Sequence, residues 1–301
     1  TMQRIVDVSI GIATYNRVEA LKKCLDSIVA QSVYPKNIIV FDSGQEKAEK
    51  LVGQYENLPI CYLSSDMRLP LPAVRNKILE KVESKIISFI DDDTQLDQHW
   101  LESLYDVYES CDRDSIAGVT GPAINCDKHG TPLEKIITTS RNLNYITSWG
   151  DVRYEGKRWI PPGPVVCDVM IGCNMSFFCE LLKKTGGFDS ELFNPSFRED
   201  TEAEMRLIKM GYRFLYDPRV CLKHFPDVDG GITDIERSKK YFYLAGKNHR
   251  HFVDKYFPKW LTRLSWIFWS RNPPSLILSA FLTIVRKKNY FYWHKGLWEK
   301  E

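Results

Sequence analysis

Residues 86–94 read IISFIDDDT, a stretch in which an apolar strand runs directly into three adjacent carboxylates. The apolar run 86–90 is typical of a buried strand in a parallel sheet. Three neighbouring negative charges repel one another unless a cation or hydrogen-bond donors neutralise them. Carboxylate oxygens suit Mg²⁺ or Mn²⁺. The stretch therefore predicts either a divalent-metal site or a solvated acidic turn that caps the following helix.

Strand and helix patterns alternate on both sides of this stretch. Apolar runs predict strands at 6–12, 38–41, 60–63, 86–90 and 116–120, and apolar residues at helical spacing predict helices between them. This alternation indicates an α/β fold, with a Rossmann-like, mainly parallel sheet flanked by helices. Ligands bind such sheets beyond the carboxyl ends of the strands. The sequence places three polar clusters there: Thr14-Tyr15-Asn16, Asp42 and Asp91-Asp92-Asp93.

Several local patterns make further structural predictions. Asn16 and Glu19 resemble a capping box. The segments 214–216 and 220–224 are predicted to form a hairpin around Asp217-Pro218. Residues 123–164 show no period, which is typical of a long functional loop region. His249 and His251 lie in a helical pattern and are predicted to be surface residues.

Composition limits the class of protein. The chain has 301 residues, 44% of them hydrophobic, and a net charge of +2. These values indicate a globular protein and give no reason to expect nucleic-acid binding. The eight cysteines form no C-x-x-C pair, and Cys167, Cys173 and Cys179 are predicted to be small buried hydrophobes with free thiols, which favours a reducing compartment. Without a visible signal peptide or spanning segment, a cytoplasmic location is expected, with peripheral contact at the inner face of the membrane as an open alternative.

Several motifs then resemble the GT-A glycosyltransferases of family 2. In chain order they are VSIGIATYNR, IIVFDSG, PAVRNKIL, IISFIDDDT, GCNMSFF, GGFDSEL and FREDTEAEMRLIKMGYR. The resemblance runs from about residue 6 to about residue 225. It implies a GT-A fold and an inverting transferase that moves a sugar from a nucleoside-diphosphate sugar, with UDP as the leading candidate. The acceptor would be a hydroxyl of a glycan or of a lipid-linked saccharide.

The resemblance also implies roles for individual residues. The nucleotide-sugar site would comprise Ala13, Thr14, Tyr15, Asp42, Arg75, Asp91 and Asp92. Within that set Arg75 would lie near the diphosphate, Asp92 would face the ribose and Asp91 would support the motif. Asp93 would bind Mn²⁺ or Mg²⁺. His224 follows an apolar strand and is either a further metal ligand or a hydrogen-bonded structural residue.

The acidic pair Glu199-Asp200 carries the implied catalytic role, with Asp200 as the base and Glu199 beside it. A hydroxyl acceptor is a poor nucleophile until a carboxylate removes its proton. A metal and an arginine would stabilise the charge that grows on the departing diphosphate. One base without a covalent intermediate gives a single displacement, which inverts the configuration at the anomeric carbon of the sugar. The alternative is an acidic pair that merely stabilises the N-terminus of the next helix.

The predicted organisation has one large domain and an extension. Residues 1–257 form the GT-A domain, with a nucleotide-binding half at 1–122 and an acceptor and catalytic half at 123–257. Residues 258–301 form a helical C-terminal extension in which aromatic and basic residues alternate. This pattern suits either an interfacial helix on anionic lipid or a subdomain packed on the main domain.

Other functions leave different signatures. A nicotinamide-dependent oxidoreductase should show G-x-G-x-x-G after the first strand, and the sequence after Gly11 does not continue in that way. A phosphatase with a D-x-D-x-[TV] nucleophile is disfavoured because Gln95 occupies the last position. A non-catalytic nucleotide-sugar-binding module, and another sugar-nucleotide enzyme of the same fold, remain as alternatives.

Overall fold

The computed structural model describes residues 4–138, 144–156, 159–192, 197–226 and 239–268, together with residues 293 and 297. The described strands are β1 (Ile5–Thr14), β2 (Tyr34–Asp42), β3 (Ile60–Ser64), β4 (Ile86–Asp91), β5 (Thr94–Leu96), β6 (Ile116–Thr120), β7 (Ala123–Asn125), β8 (Ile137–Thr138), β9 (Asn144–Ile146), β10 (Val152–Tyr154), β11 (Trp159–Ile160), β12 (Val165–Cys167), β13 (Asn174–Phe178), β14 (Arg213–Tyr216) and β15 (Leu222–His224). The described helices are α1 (Val18–Val29), α2 (Glu49–Val52), α3 (Leu71–Glu80), α4 (Trp100–Ser110), α5 (Cys179–Lys184), α6 (Glu199–Lys209), α7 (Lys239–Tyr256) and α8 (Lys259–Phe268).

An eight-stranded sheet forms the centre of the molecule. Its strand order is β12-β14-β6-β13-β4-β1-β2-β3. The half from β4 to β3 is parallel throughout, whereas β13 runs antiparallel to both β4 and β6. β14 pairs with β6 in parallel, and β12 closes the far edge in antiparallel orientation. The prediction of a mainly parallel sheet flanked by helices is confirmed.

Periodicity accounts for the elements that cover this sheet. In α1 the apolar residues Leu21, Cys24, Leu25 and Ile28 share one face and are fully buried. Full burial of each large aliphatic side chain contributes about 1.5–3 kcal/mol. Pro72 lies in the first turn of α3, where a missing backbone N–H costs nothing. The buried faces of α1 and α3 thus pack against the parallel strands of the large sheet.

The predicted hairpin at 214–224 is wrong. Both edges of β14 are occupied, by β12 on one side and β6 on the other. β15 instead belongs to a separate three-stranded sheet, where it lies between β5 and β7. The chain therefore leaves the large sheet at Asp217. His224, at the end of β15, lies opposite Thr94 of β5, the strand that follows the acidic triplet.

The predicted capping box at the start of α1 is also wrong. Arg17 is the N-cap residue, and no side chain caps this helix. Asn16 adopts a left-handed backbone with φ of 54°, and its side-chain oxygen accepts hydrogen bonds from the backbone N of Gln45 and Glu46. The asparagine thus ties the turn after β1 to the turn after β2.

The loop region 123–164 contains more regular structure than predicted. Among its described residues are short strands that form two-stranded sheets, β10 with β9 and β11 with β8. Asn144 anchors one of them, because its side-chain oxygen accepts a hydrogen bond from the backbone N of Gly156. Tyr216 fixes the same turn from the large sheet by donating to the carbonyl of Gly156 at 2.7 Å.

The surface position predicted for His249 is wrong as well. Its side chain is buried, accepts a 3.4 Å hydrogen bond at Nδ1 from Arg198 and stacks on the ring of Trp293. Burial and the neighbouring Arg198 charge lower its pKa well below the ordinary value. α7 therefore packs against the segment that precedes the acidic pair, whereas His251 has a 40% exposed side chain.

Two described residues of the C-terminal extension pack on the main domain. Trp293 lies edge-on against Phe197, and Leu297 is buried in a cluster with Phe252 and Val253. The rest of the extension beyond residue 268 lies outside the described residues. None of the described helices combines the length and the apolar content needed to cross a bilayer.

Candidate active site

The predicted polar clusters meet at one edge of the large sheet. β1, β2 and β4 are parallel neighbours, so their carboxyl ends point the same way. The register pairs Thr14 with Asp42 on one side, and Ala13 with Asp91 on the other. This edge is the place where open α/β sheets bind ligands.

Asp42 is fixed by its own loop. It is 1% exposed, and its Oδ1 accepts a 2.7 Å hydrogen bond from the backbone N of Gly44. Its Oδ2 accepts hydrogen bonds of 2.8 Å from the backbone N of Ala48 and from the hydroxyl of Tyr62. A carboxylate offers about four acceptor positions, so three bonds leave room for one donor from a ligand.

Tyr15 directly follows β1 and is half-buried. The guanidinium of Arg68 lies 4.3 Å from the centre of its ring, within the range of a cation–π contact. The turn that carries Tyr15 is held by Asn16, whose side chain binds the loop after β2. The end of β1 is therefore followed by an aromatic ring, and the neighbouring strand β2 ends in a buried carboxylate.

The three carboxylates of the triplet have different surroundings. Asp92 accepts a 2.7 Å hydrogen bond from the Thr14 hydroxyl, and Nη1 of Arg17 lies 3.2 Å from its other oxygen. The same Nη1 lies 2.7 Å from Oδ2 of Asp93. The side chains of Asp92 and Asp93 are each 5% exposed, whereas that of Asp91 is 39% exposed. Asp91 is thus the carboxylate most open to solvent.

These contacts set the charge state of the buried pair. Burial and the Asp93 charge raise the pKa of Asp92 to about 7. Burial would also raise the pKa of Asp93, but His224 and Arg17 lower it below the ordinary value. Arg17 therefore neutralises part of the negative charge that three adjacent carboxylates would otherwise concentrate.

His224 brings an imidazole to the triplet from β15. Its Nδ1 lies 2.8 Å from the side-chain oxygen of Asn125, an acceptor, so Nδ1 carries a proton and donates. Nε2 lies 3.4 Å from Oδ1 of Asp93 and forms an ion pair with it when the ring is protonated, whereas in the neutral ring Nε2 presents a lone pair. That oxygen is buried without a hydrogen bond. A cation between the two lone pairs would satisfy both, so these residues fit a divalent metal.

Glu199 and Asp200 are the first two residues of α6. Arg198 precedes them in a left-handed backbone conformation, with φ of 78°. Oδ1 of Asp200 accepts hydrogen bonds from the backbone N and the hydroxyl of Thr201. Its Oδ2 lies against Gly172, so closely that a Cβ at this glycine would be 2.7 Å away.

Arg75 lies between the acidic triplet and the acidic pair. It is 3% exposed, and Nη1 donates a 2.7 Å hydrogen bond to Glu199. Nη2 donates to the carbonyl of Gly172 and lies 3.9 Å from Oδ1 of Asp91. Burial and the Asp200 charge raise the pKa of Glu199 to about 8, although Arg75 opposes this shift.

The structure adds residues that sequence reasoning did not assign to the site. Arg17 ends the quoted motif VSIGIATYNR but received no role. Gly172 and Cys173 lie in the motif GCNMSFF, where the cysteine was interpreted as a small buried hydrophobe. Glu204 lies one helical turn after Asp200, and burial together with the Asp200 charge raises its pKa well above the ordinary value. An acidic residue at helical spacing from the predicted base was the available signal.

Comparison with known proteins identifies the family. The profile of the glycosyl transferase family 2 matches residues 9–186. The chain belongs to this family. The transferase is 31% identical over 258 residues to the chondroitin synthase of Pasteurella multocida. This match covers 78% of the chain and 26% of the synthase. It spans between about a quarter and two fifths of the length of the first three curated relatives.

Solved structures show the same fold. The structure of GalNAc-T7 with UDP, GalNAc and Mn²⁺ superposes with a TM-score of 0.65 at 14% identity, over 95% of this transferase and 55% of that chain. The mannosyltransferase PcManGT from Pyrobaculum calidifontis, in complex with GDP-Man and Mn²⁺, superposes with a TM-score of 0.58 at 16% identity. The match covers 98% of this transferase and 88% of that chain. The predicted GT-A fold is confirmed.

Proposed function

We propose that the transferase moves a sugar, with inversion, from a nucleoside-diphosphate sugar to a hydroxyl of a glycan or lipid-linked saccharide. The observation that carries this proposal is the position of Arg75, which contacts Glu199 and lies 3.9 Å from Asp91. The guanidinium of Arg75 thus lies near both Asp91, at the end of β4, and Glu199, the first residue of the helix that bears Asp200. A donor site and a general base within that reach suit a single displacement.

The nucleotide lies, in this proposal, over the ends of β1 and β2. Asp42 has one acceptor position left for a base N–H, and the Tyr15 ring offers a stacking face. The backbone at Ala13 and Thr14 forms the floor beneath them. UDP is the first candidate among the nucleotides, on the resemblance of the motifs to those of the family that this chain belongs to.

The diphosphate end lies at the triplet. Asp93 and His224 would hold Mn²⁺ or Mg²⁺, and the bound ion would neutralise charge on the leaving diphosphate. Asp91, the exposed carboxylate, and Asp92, which is fixed by Thr14, complete the donor side. Arg75 contributes a second fixed positive charge at this end of the crevice.

Asp200 removes the proton from the acceptor hydroxyl as it attacks. Its Oδ1 is engaged by Thr201, which leaves Oδ2 as the proton acceptor beside Gly172. Glu199 is less suited to this role because its pKa is raised to about 8 and it is bound to Arg75. We assign Glu199 the role of holding Arg75 in place.

The exposed first residues of α8 suggest how the transferase reaches a lipid-linked acceptor. Trp260 is 67% exposed and follows Lys259 at the start of this helix. An aromatic side chain beside a cation suits peripheral contact with the anionic inner face of a membrane. Arg263 does not add to this surface, because it is paired with Asp254.

A screen of nucleotide sugars tests the function. The purified chain is incubated with Mn²⁺ and each of a set of UDP- and GDP-sugars, and thermal stabilisation and slow donor hydrolysis are recorded. The proposal predicts that one nucleotide class stabilises the protein and is hydrolysed only with metal present. Stabilisation by a nucleotide sugar without any turnover would instead support a binding module.

A further inference from the structure

The segment that precedes β13 brings a thiol to the metal site. β13 pairs with β4 so that Asn174 lies opposite Ile90, which places residue 173 beside the strand end at Asp91. Cys173 is 6% exposed. Its sulfur, a carboxylate oxygen of Asp91 and a ring nitrogen of His224 all lie within 4.8 Å of one another. Among the residues that the structure describes, no other trio of His, Cys, Asp or Glu converges in this way.

The spacing of these donors is close to that required by a single ion. Zn²⁺ binds sulfur, nitrogen and oxygen donors at about 2.0–2.3 Å, so its donors lie within about 4.6 Å of one another. Asp91 ends β4, His224 ends β15, and Cys173 immediately precedes β13, so three separate segments supply the donors. Small side-chain rotations would bring all three onto one centre.

A second observation points to a cation beside the same histidine. Oδ1 of Asp93 is buried, makes no hydrogen bond and lies 3.4 Å from Nε2 of His224. His224 is oriented by Asn125 in the manner of a metal-binding histidine, with the opposite ring nitrogen engaged. Cys173 thus adjoins a site that is already arranged for a positive ion.

We propose that Cys173 is a protein ligand of this metal site and makes it prefer Zn²⁺ to Mn²⁺ or Mg²⁺. The proposal rests on the metal site of the proposed function. Thiolate is a soft ligand that selects Zn²⁺, and Zn²⁺ already exceeds Mn²⁺ in affinity for mixed donor sets. On binding, a metal–sulfur bond replaces the S–H bond and the proton leaves to solvent. Zn²⁺ therefore competes with the hard ion that supports turnover.

Cobalt spectroscopy tests the ligand directly. Co²⁺ bound to a thiolate shows an intense sulfur-to-metal charge-transfer band in the near ultraviolet. Titration of the full chain with Co²⁺ should produce this band, and Cys173→Ser should abolish it. Cys179→Ser is the matched control, because Cys179 is buried at the other end of β13, about 20 Å away along the strand. A band that is missing from the unaltered protein, or that survives Cys173→Ser, overturns the proposal.

A measurement on the unaltered protein does not depend on whether the Cys173→Ser variant folds. Zinc-edge X-ray absorption of the chain loaded with one equivalent of Zn²⁺ should show one sulfur neighbour at about 2.3 Å. A first shell of nitrogen and oxygen alone overturns the proposal. Because this spectrum requires no turnover, it decides the ligand even if no nucleotide sugar is a substrate.

Competition measures the selectivity. The ratio of Zn²⁺ to Mn²⁺ affinity should fall at least about tenfold in Cys173→Ser, since even residues outside the ligand shell change metal affinity by 10–100-fold. Cys179→Ser should keep the ratio of the unaltered protein. An equal ratio in all three proteins would show that the thiol is not a ligand, while turnover with Mn²⁺ would leave the proposed function standing.

Discussion

Nη1 of Arg75 donates a 2.7 Å hydrogen bond to Oε1 of Glu199, and this bond joins α3 to the first residue of α6. The other terminal nitrogen of the same guanidinium lies 3.9 Å from Asp91. The strand end that would hold the diphosphate and the helix that bears Asp200 are therefore held by one buried side chain.

Removal of divalent metal should abolish turnover. EDTA should eliminate activity with the nucleotide sugar found in the screen, and Mn²⁺ or Mg²⁺ should restore it. Asp93→Asn should weaken donor binding and turnover together, because Asp93 and His224 share the proposed ion. Full activity in a chelated, metal-free sample would refute the metal requirement.

The raised pKa of Glu199 predicts a pH-dependent stability. A carboxyl whose pKa rises from 4.5 in the unfolded chain to about 8 in the folded chain binds more protons when folded. Its contribution is fully present below pH 4.5 and is lost as the pH rises through about 8. Urea unfolding at intervals across this range should show a larger loss of free energy for the unaltered protein than for Glu199→Gln. If the free energy of unfolding depends on pH in the same way for both proteins, the pKa of Glu199 is not raised.

Gly172→Ala should displace the proposed base. The added Cβ would lie 2.7 Å from Oδ2 of Asp200, so the carboxylate must move. Misplacement of a reacting group by about 1 Å can cost about 10²-fold in rate. We expect kcat to fall by up to that factor, with donor affinity little changed. The control is Gly163→Ala, because a Cβ at Gly163 meets no atom within 4 Å; equal kcat values for the two variants would contradict the argument.

Trp260→Ser should weaken association with anionic vesicles. Burial of a large apolar side chain contributes about 1.5–3 kcal/mol, so the bound fraction should correspond to an affinity at least about tenfold lower. Val166→Ser is the control, since Val166 is 56% exposed on β12, an edge strand of the large sheet. Co-sedimentation is the measurement. Equal pelleting of Trp260→Ser and the unaltered protein would remove the proposed membrane role of α8.

Much of the nucleotide-binding half was predictable because its strands carry local signals. The run 86–90 is apolar throughout, and β4 is buried on both faces as such a run requires. The helical spacing of Leu21, Cys24, Leu25 and Ile28 likewise matches the buried face of α1. Where local pattern and tertiary position agree, the sequence alone suffices.

The errors arose where distant segments decide the outcome. Asp217-Pro218 favours a turn, but the pairing of β14 with β6 and β12 sends the next strand to another sheet. Asn16 resembles a cap, yet its side chain is used by the loop after β2. His249 is buried because Trp293, 44 positions later, covers it. No local period reports such contacts.

The same limit applies to the site. Thr14, Asp42 and the triplet could be placed together because parallel strands end at one edge. The approach of Cys173 and Arg17 to the triplet could not be predicted, since it depends on how β13 and the turn after β1 are packed. Only the structure shows that Arg75 bridges the two acidic groups.

The most direct test of the account is the turnover of Asp200→Asn. Asparagine keeps the size of the side chain and removes its ability to accept the proton from the acceptor hydroxyl. The account predicts that kcat falls by about 10²–10⁴-fold, with the Kd for the donor nearly unchanged. Asp26→Asn, on the exposed face of α1, should match the unaltered protein. If Asp200→Asn keeps more than about a tenth of the original kcat, general-base catalysis by Asp200 is refuted.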